Sequence, residues 1–372
     1  MKIFSNDTEG SFLSRPNRFI VTAETEAGII RAHCPNPGRL QEILLPGQRL
    51  IFQKSGSPER KTPFTLVAAY YKGKIIPLYS AVSNRIAAEM ILPLLHPGAD
   101  KIIPEQSWGS SRFDFLVTGG NRKIFIEVKS CSLVEEGRGM FPDAPTSRGK
   151  RHIEELALIA ETGMDAEILF VITHPDVSVF SPNIHTDPAF SLTLKRVSKT
   201  VKIHAVSIEC SADGEVILKN ISVPVDLRPV ELAEKDTGAY MLVITLESPQ
   251  KIETGKLGEV YFKKGFYIYT GSGKKNLTKR IKRHENRRKK NLRWHIDYLT
   301  VKADRIRSYP VFTSRDIECS LAGEIPAMGG EGIPGFGSGD CSCVSHLFYF
   351  REDPVKSRPF QETLHRYRHN PL

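Results

Sequence analysis

A chain of 372 residues, 40% hydrophobic and 25% charged, is long for a single core and too ordinary in composition to be disordered or fibrous. Its net charge of +10 is concentrated: Gly271 to Arg293 holds eleven Lys or Arg against one acidic residue, Glu285, which equals the whole excess. Six cysteines without paired spacing argue against a disulfide framework. The start lacks a signal-like apolar core and no apolar run reaches the roughly 18 residues a membrane span needs, so a cytoplasmic protein with no membrane partner is expected.

Taken in chain order, short β-like runs at 18–25, 28–33, 49–53, 64–71 and 74–78, separated by Gly, Pro and charged turns, predict a small β-barrel over residues 1–80. Oligonucleotide-binding barrels are built this way, as are many unrelated modules. Ser83 is placed to cap a helix with Ile86, Ala87, Met90, Ile91 and Leu94 on one face. Strands at 112–118 and 123–130, a helix at 147–161, a buried strand at 166–173, a helix at 188–199 and a strand at 201–207 then make an α/β domain with a mixed sheet over 81–228. Pro224, Pro229 and the charged stretch 231–236 read as a linker. A strand at 239–246 opens a further α/β domain over 236–352, and 353–372 reads as a loosely held basic tail. The fold class is therefore α/β (α+β) in three parts.

Strand alternation puts Asp114 on a face with Arg112 and Leu116, opposite Phe113, Phe115 and Val117, and it puts Glu127 and Lys129 together on the next strand. A carboxylate from each of two neighbouring strands suits Mg2+ or Mn2+, with Asp114 and Glu127 as ligands. Lys129 would stabilise charge on a scissile phosphate, and Glu89 on the preceding helix could add a ligand or support. Asp, twelve intervening residues, then Glu-x-Lys, set between two helices, resembles the PD-(D/E)xK nuclease signature.

The segments His33-Cys34-Pro35-Asn36-Pro37-Gly38-Arg39-Leu40, Ser111 to Leu116, Glu127-Val128-Lys129-Ser130, Phe141-Pro142-Asp143-Ala144 and Ser147 to Leu156 together resemble the sugar fermentation stimulation protein A family over roughly residues 10–225. That resemblance implies an N-terminal barrel of oligonucleotide-binding (OB) type, a PD-(D/E)xK-like domain, DNA binding and a regulatory link to sugar metabolism. The loop carrying Arg39 is either a tight turn packed between domains or a phosphate contact. Arg148, Lys150 and Arg151 at a helix start suit phosphate.

Gly238-Ala239-Tyr240 and Tyr269-Thr270-Gly271 resemble the two halves of the GIY-YIG nuclease signature, with Thr270 in place of Ile and a long interval between them. The resemblance implies that Arg280 steadies phosphate and that Glu318 binds metal. His284 lies one turn from Arg280, on the same helix face. The stretch Trp294 to Leu299 and the run Gly335 to Leu347 look more like GIY-YIG-like domains of unknown function. Lys274, Lys275, Lys279, Arg283 and His284, with Trp294, would extend a nucleic-acid footprint. Cys341, Cys343 and His346, with Cys319, have ligand types suited to Zn2+, although buried small thiols would read the same. The leading expectation is a DNA-binding protein with a metal-dependent phosphodiesterase site. The alternative is a non-catalytic DNA-binding regulator that keeps the nuclease fold.

Overall fold

Alternating small and branched side chains turn the first strands into a closed wall. β1 (Thr8–Asn17), β2 (Ile20–Thr25), β3 (Gly28–His33), β4 (Arg49–Lys54) and β5 (Phe64–Tyr71) pair in the cyclic order β1-β2-β3-β5-β4, with β4 returning to β1. Phe12, Val21, Ala23, Ala32, Leu50, Phe52 and Leu66 fill the interior. This is the OB-like barrel. The strand β1 is absent from the sequence expectation because Arg, Ser, Pro and Asn interrupt its alternation. In this computed structural model residues 1–56, 62–288 and 291–369 are described, in two units, Met1–Val230 and Glu231–Leu372.

Near residue 80 the barrel meets the next sheet. Strand β6 (Lys74–Pro77) pairs with β5 and, through Ile75 and Cys210, with β14 (Lys202–Cys210), so the barrel runs on into the next sheet. That sheet continues β14, β12 (Asp165–Ile172), β9 (Arg122–Cys131), β8 (Ser111–Gly119), β7 (Lys101–Trp108), with β15 (Val216–Asn220) on β14. Its centre, β9-β12-β14, is parallel because helices α3 (Ser147–Glu161) and α4 (Pro188–Val197) carry the crossovers. Thr146 caps α3 by accepting from Gly149 N at 2.9 Å, and Asp187 caps α4 by accepting from Phe190 N at 2.9 Å. A small sheet of β10 (Leu133–Glu135), β11 (Arg138–Phe141) and β13 (Val179–Pro182) flanks it.

Two cores line the large sheet. Ile153, Leu156 and Ile159 of α3 and Phe190 and Leu194 of α4 pack on Phe113, Phe125, Ile168 and Phe170. On Phe115, Val117, Ile126 and Val128 pack Val82, Ile86, Ala87, Ile91 and Leu92. Two expectations for that second helix are corrected. Ser83 is buried inside α1 (Val82–Ile86), whose N-cap, Ala81, makes no side-chain bond. Residues Ala87–Ile91 form a π turn before α2 (Leu92–Leu95), and the wider turn shifts the phase so that Leu94 is exposed.

A short helix, α5 (Val230–Lys235), occupies the stretch expected to be a linker. In the second unit β16 (Gly238–Leu246) lies between the edge strand β20 (Arg305–Phe312) and β19 (Gly265–Gly273), the central strand. Beyond β19 lie β22 (Leu347–Phe350) and β21 (Glu331–Gly332), while β17 (Gln250–Glu253) and β18 (Glu259–Phe262) form a hairpin. Helices α6 (Leu277–Glu285), α7 (His295–Thr300) and α8 (Glu318–Glu324) surround the sheet. The expected loose tail is instead α9 (Arg358–His369): Phe360, Leu364 and Tyr367, at helical spacing, are buried against Tyr309, Leu321 and Phe348. Its Pro359 sits in the first turn, where no intrahelical N–H is lost. The domain therefore ends well past residue 352. No helix among the described residues is long and apolar enough to cross a membrane.

Candidate functional site

Where β8 and β9 part, the ladder stops at Phe115 opposite Ile126, and Asp114 takes over with its side chain: Oδ2 accepts from Val128 N at 2.7 Å. Strict alternation fails here. Phe113 packs with the α3 side, 5.8 Å from Phe125 and 5.7 Å from His152 between ring centroids, whereas Phe115 and Val117 pack with the α1 side. The other Asp114 oxygen accepts from Asn84 Nδ2 at 2.7 Å. From α1, then, the side chain that reaches Asp114 is Asn84. Glu89 is exposed and pairs with Arg85 at 3.3 Å.

Glu127 is buried, and its Oε1 carries two donors, Lys129 Nζ and His152 Nδ1, the latter at 2.7 Å. The tautomer follows from Arg148, whose Nε donates to His152 Nε2 at 3.3 Å and leaves Nδ1 to donate to Glu127. The other oxygen, Oε2, is buried with no hydrogen-bond partner among the described residues. Burial pushes the Glu127 carboxyl up, but the His152 hydrogen bond and the Lys129 ammonium outweigh it and hold the group below its ordinary range. Burial and the facing charge of Glu127 raise Asp114, against the Val128 N–H, Lys129 and Asn84. Two neighbouring carboxylates, one ionised with a bare buried oxygen, fit a hard divalent cation that would supply the missing positive charge.

The Asn36–Arg39 loop is built by Arg15, which sequence reasoning missed. Its guanidinium donates to the carbonyls of Arg18, Asn36, Gly38 and Arg39 at 2.7–2.8 Å. Asn36 Oδ1 accepts from Gly38 N at 2.9 Å, and a Cβ on Gly38 would lie 2.1 Å from Asp143 Oδ2, so only glycine lets Asp143 close on the loop. The loop is thus a packed turn that leaves the Arg39 side chain exposed. On α3, Lys150 pairs with Glu154 at 2.8 Å and Arg151 with Glu155 at 3.8 Å, both one turn along the helix.

In the second unit β16 and β19 place Tyr240 opposite Gly271, whose missing side chain admits the Tyr240 ring; a Cβ there would lie 2.5 Å from its hydroxyl. Burial raises the Tyr240 phenol to about 12 against the pull of Arg280. Its hydroxyl meets His284 Nε2 at 3.0 Å, and His284 Nδ1 lies 3.5 Å from Asp297 Oδ1. His284 is fully buried, which corrects the expectation that it touches nucleic acid: α6 turns it toward the sheet. Arg283 is also drawn inward, forked onto both oxygens of Asp297 at 2.8 and 2.7 Å. Arg280 and Arg283 lie on Trp294, each guanidinium 4.5 Å from the ring centroid. Lys274, Lys275 and Lys279 are exposed, while Lys289 and Lys290 of the basic run lie outside the described residues.

Glu318 faces two ways. It accepts from Ser272 Oγ through Oε2, and its Oε1 lies 3.2 Å from His346 Nδ1. On the far side of that imidazole Cys319, Cys341 and Cys343 converge, and the four possible ligand atoms lie within 4.8 Å of one another.

An OB-like barrel fused through one sheet to a mixed α/β layer, with a separate α/β unit after it, defines the class of protein. Residues 13–78 match the SfsA N-terminal OB domain, 79–214 the Sugar fermentation stimulation protein RE domain and 239–369 the Domain of unknown function DUF123. A sugar fermentation stimulation protein homolog of Desulfitobacterium hafniense is 39% identical over 212 residues, covering 57% of this chain and 93% of its own. One from Clostridium beijerinckii is 38% identical over 215 residues, covering 58% and 95%. The solved structure of Pyrococcus furiosus SfsA in complex with Ca2+ aligns with a TM-score of 0.56 at 32% identity, covering 61% of this chain and 99% of that one. The chain belongs to the sugar fermentation stimulation protein family.

Proposed function

We propose that this chain binds DNA and hydrolyses a phosphodiester bond at Asp114, Glu127 and Lys129. The observation that carries the reading is the buried, unpartnered Oε2 of Glu127 beside Asp114. An ionised oxygen kept from water without a donor costs on the order of 1–3 kcal/mol or more, a cost that a bound cation removes. The Pyrococcus furiosus protein was solved in complex with Ca2+, which supports a divalent ion in this fold. Mg2+ or Mn2+, when bound, would polarise the scissile phosphate and lower the pKa of water.

The chain's own residues do the rest. Asn84 and the Val128 N–H aim Asp114, while His152, oriented by Arg148, fixes Glu127. Lys129, half-buried and already at the carboxylate, holds positive charge where a phosphate oxygen would become more negative. Arg39 and Arg148, both exposed, suit contacts to flanking phosphates, and Lys274, Lys275 and Lys279 offer a cationic surface of their own in the second unit. None of the six cysteines is joined in a disulfide, which suits the cytoplasm.

The test incubates the purified chain with single- and double-stranded DNA and RNA in Mg2+ or Mn2+, beside Asp114→Ala and Glu127→Ala. Cleavage should fall by at least about a hundredfold in both variants while binding persists. Cleavage unchanged in both would locate the activity elsewhere, and binding without cleavage in the parent chain would instead identify a non-catalytic DNA-binding regulator.

A further inference from the structure

The six cysteines divide into two kinds. Cys34, Cys131 and Cys210 are buried one at a time among apolar side chains, the ordinary fate of a structural thiol. Cys319, Cys341 and Cys343 are exposed or half-exposed and have been gathered from two distant segments, the start of α8 and the loop before β22. Packing does not account for them, since three thiols at the surface bury little apolar area.

The fourth group completes a set of four possible ligands. His346 is buried, with Nε2 3.4 Å from Cys341 Sγ and 4.0 Å from Cys319 Sγ. A zinc ion with Zn–S bonds of about 2.3 Å requires ligand atoms about 3.5–3.8 Å apart, so the observed edges need only small adjustment. The opposite ring nitrogen, Nδ1, lies 3.2 Å from Glu318 Oε1 and 3.3 Å from Thr270 Oγ1. A zinc-bound imidazole is held in this way, with its non-ligating N–H given to a carboxylate that fixes the tautomer and strengthens the donor.

We infer that Cys319, Cys341, Cys343 and His346 form a closed, four-coordinate structural Zn2+ site, with Glu318 as the residue that positions His346. Three thiolates and one neutral imidazole leave no open position for water or substrate, which makes the site a strut and not a reaction centre. The loop it anchors is otherwise held by few backbone bonds: Gly335 N to Val344 O at 2.9 Å, His346 N to Phe336 O at 2.8 Å and Thr270 N to His346 O at 3.0 Å. Zinc ties this loop to α8, and Glu318 links the site to Ser272 on β19, the strand that carries Tyr269 and Gly271. Glu318, given a catalytic metal role by resemblance to GIY-YIG nucleases, is thereby a positioning residue of the zinc site. The inference does not rest on the cation reading at Asp114 and Glu127.

The test measures zinc in the full-length chain purified without added metal. The expected content is about one zinc per chain, lost in Cys341→Ser and Cys343→Ser and retained in Asp114→Ala, which separates this site from the cation site of the first unit. Because a cysteine variant can fail to fold, the parent chain is also loaded with Co2+, where intense sulfur-to-cobalt absorption and a tetrahedral ligand-field pattern are expected. Glu318→Gln should keep its zinc with affinity lowered about 10- to 100-fold; unchanged affinity would remove Glu318 from the assignment. A zinc-free parent chain whose three thiols all react with a disulfide reagent in the native state would overturn the site. So would a disulfide joining two of them in the freshly purified protein.

Discussion

At the scale of single residues, Glu127 combines two donors on one oxygen with none on the other, and that asymmetry can be tested without an assay for cleavage. A cation bound only by the folded state stabilises it by about 2.7 kcal/mol at a concentration a hundred times its dissociation constant. Mg2+ or Mn2+ should therefore raise the unfolding temperature of the parent chain and leave that of Asp114→Ala where it was. An equal rise in both, measured by calorimetry, would sever the link to this pair. A second residue, Glu167, has no role in that site. Burial pushes it up, but His204 at 2.9 Å and His96 at 3.1 Å outweigh this and lower its carboxyl from the usual 4.5 to about 2. A depressed folded-state value means that its contribution is complete above about pH 4.5 and fades as pH falls toward 2. Denaturant titrations at stepped pH should show parent and Glu167→Gln stabilities converging over that window. Curves that stay parallel would show that the pair carries no such linkage.

At the scale of elements, α3 was legible to the residue, Ser147–Glu161, because a run of helix formers with apolar positions at helical spacing follows a capping Thr. The strands carrying Asp114 and Glu127 were legible for the same kind of reason. Among the elements that escaped were β1 and β7, each carrying a proline that breaks its pattern, β13, whose partner β11 lies well back along the chain, the short β15, and α9, whose proline and charges masked its buried stripe. Leu364→Ala removes a fully packed side chain from that stripe and should destabilise the second unit by about 2–5 kcal/mol. Denaturation midpoints would register this clearly, whereas a loose tail would leave them unmoved. Asn84 was not legible either: Glu89 has the expected chemistry and pairs with Arg85, while α1 directs Asn84 at Asp114. Spacing alone does not reveal where a π turn will set the phase.

At the scale of the whole molecule, the charge excess belongs to one segment, and tertiary structure divides it into cations that are committed and cations that are exposed. Arg283 is neutralised by Asp297 and Arg287 donates to the carbonyls of Ala303 and Asp304, while Lys274, Lys275 and Lys279 face solvent. Replacing those three lysines with Ala should weaken DNA binding uniformly across sequences and reduce the slope of log affinity against log salt by about one for each phosphate no longer neutralised. An unchanged slope in binding titrations over a salt series would show that this face does not meet the backbone.

By itself the sequence determined the kinds of chemistry present: acidic strands with a partner lysine, a basic helix, and thiols beside a histidine. These follow from local spacing, which a single strand or helix converts into a face. Only the tertiary structure decided which of them meet. His152 of α3, held by Arg148 one turn away, and Asn84 of α1 reach the carboxylate pair from separate helices, and Cys319 joins Cys341, Cys343 and His346 from another segment. Both convergences are set by how sheets and crossovers pack, and that packing depends on contacts between residues far apart in the chain.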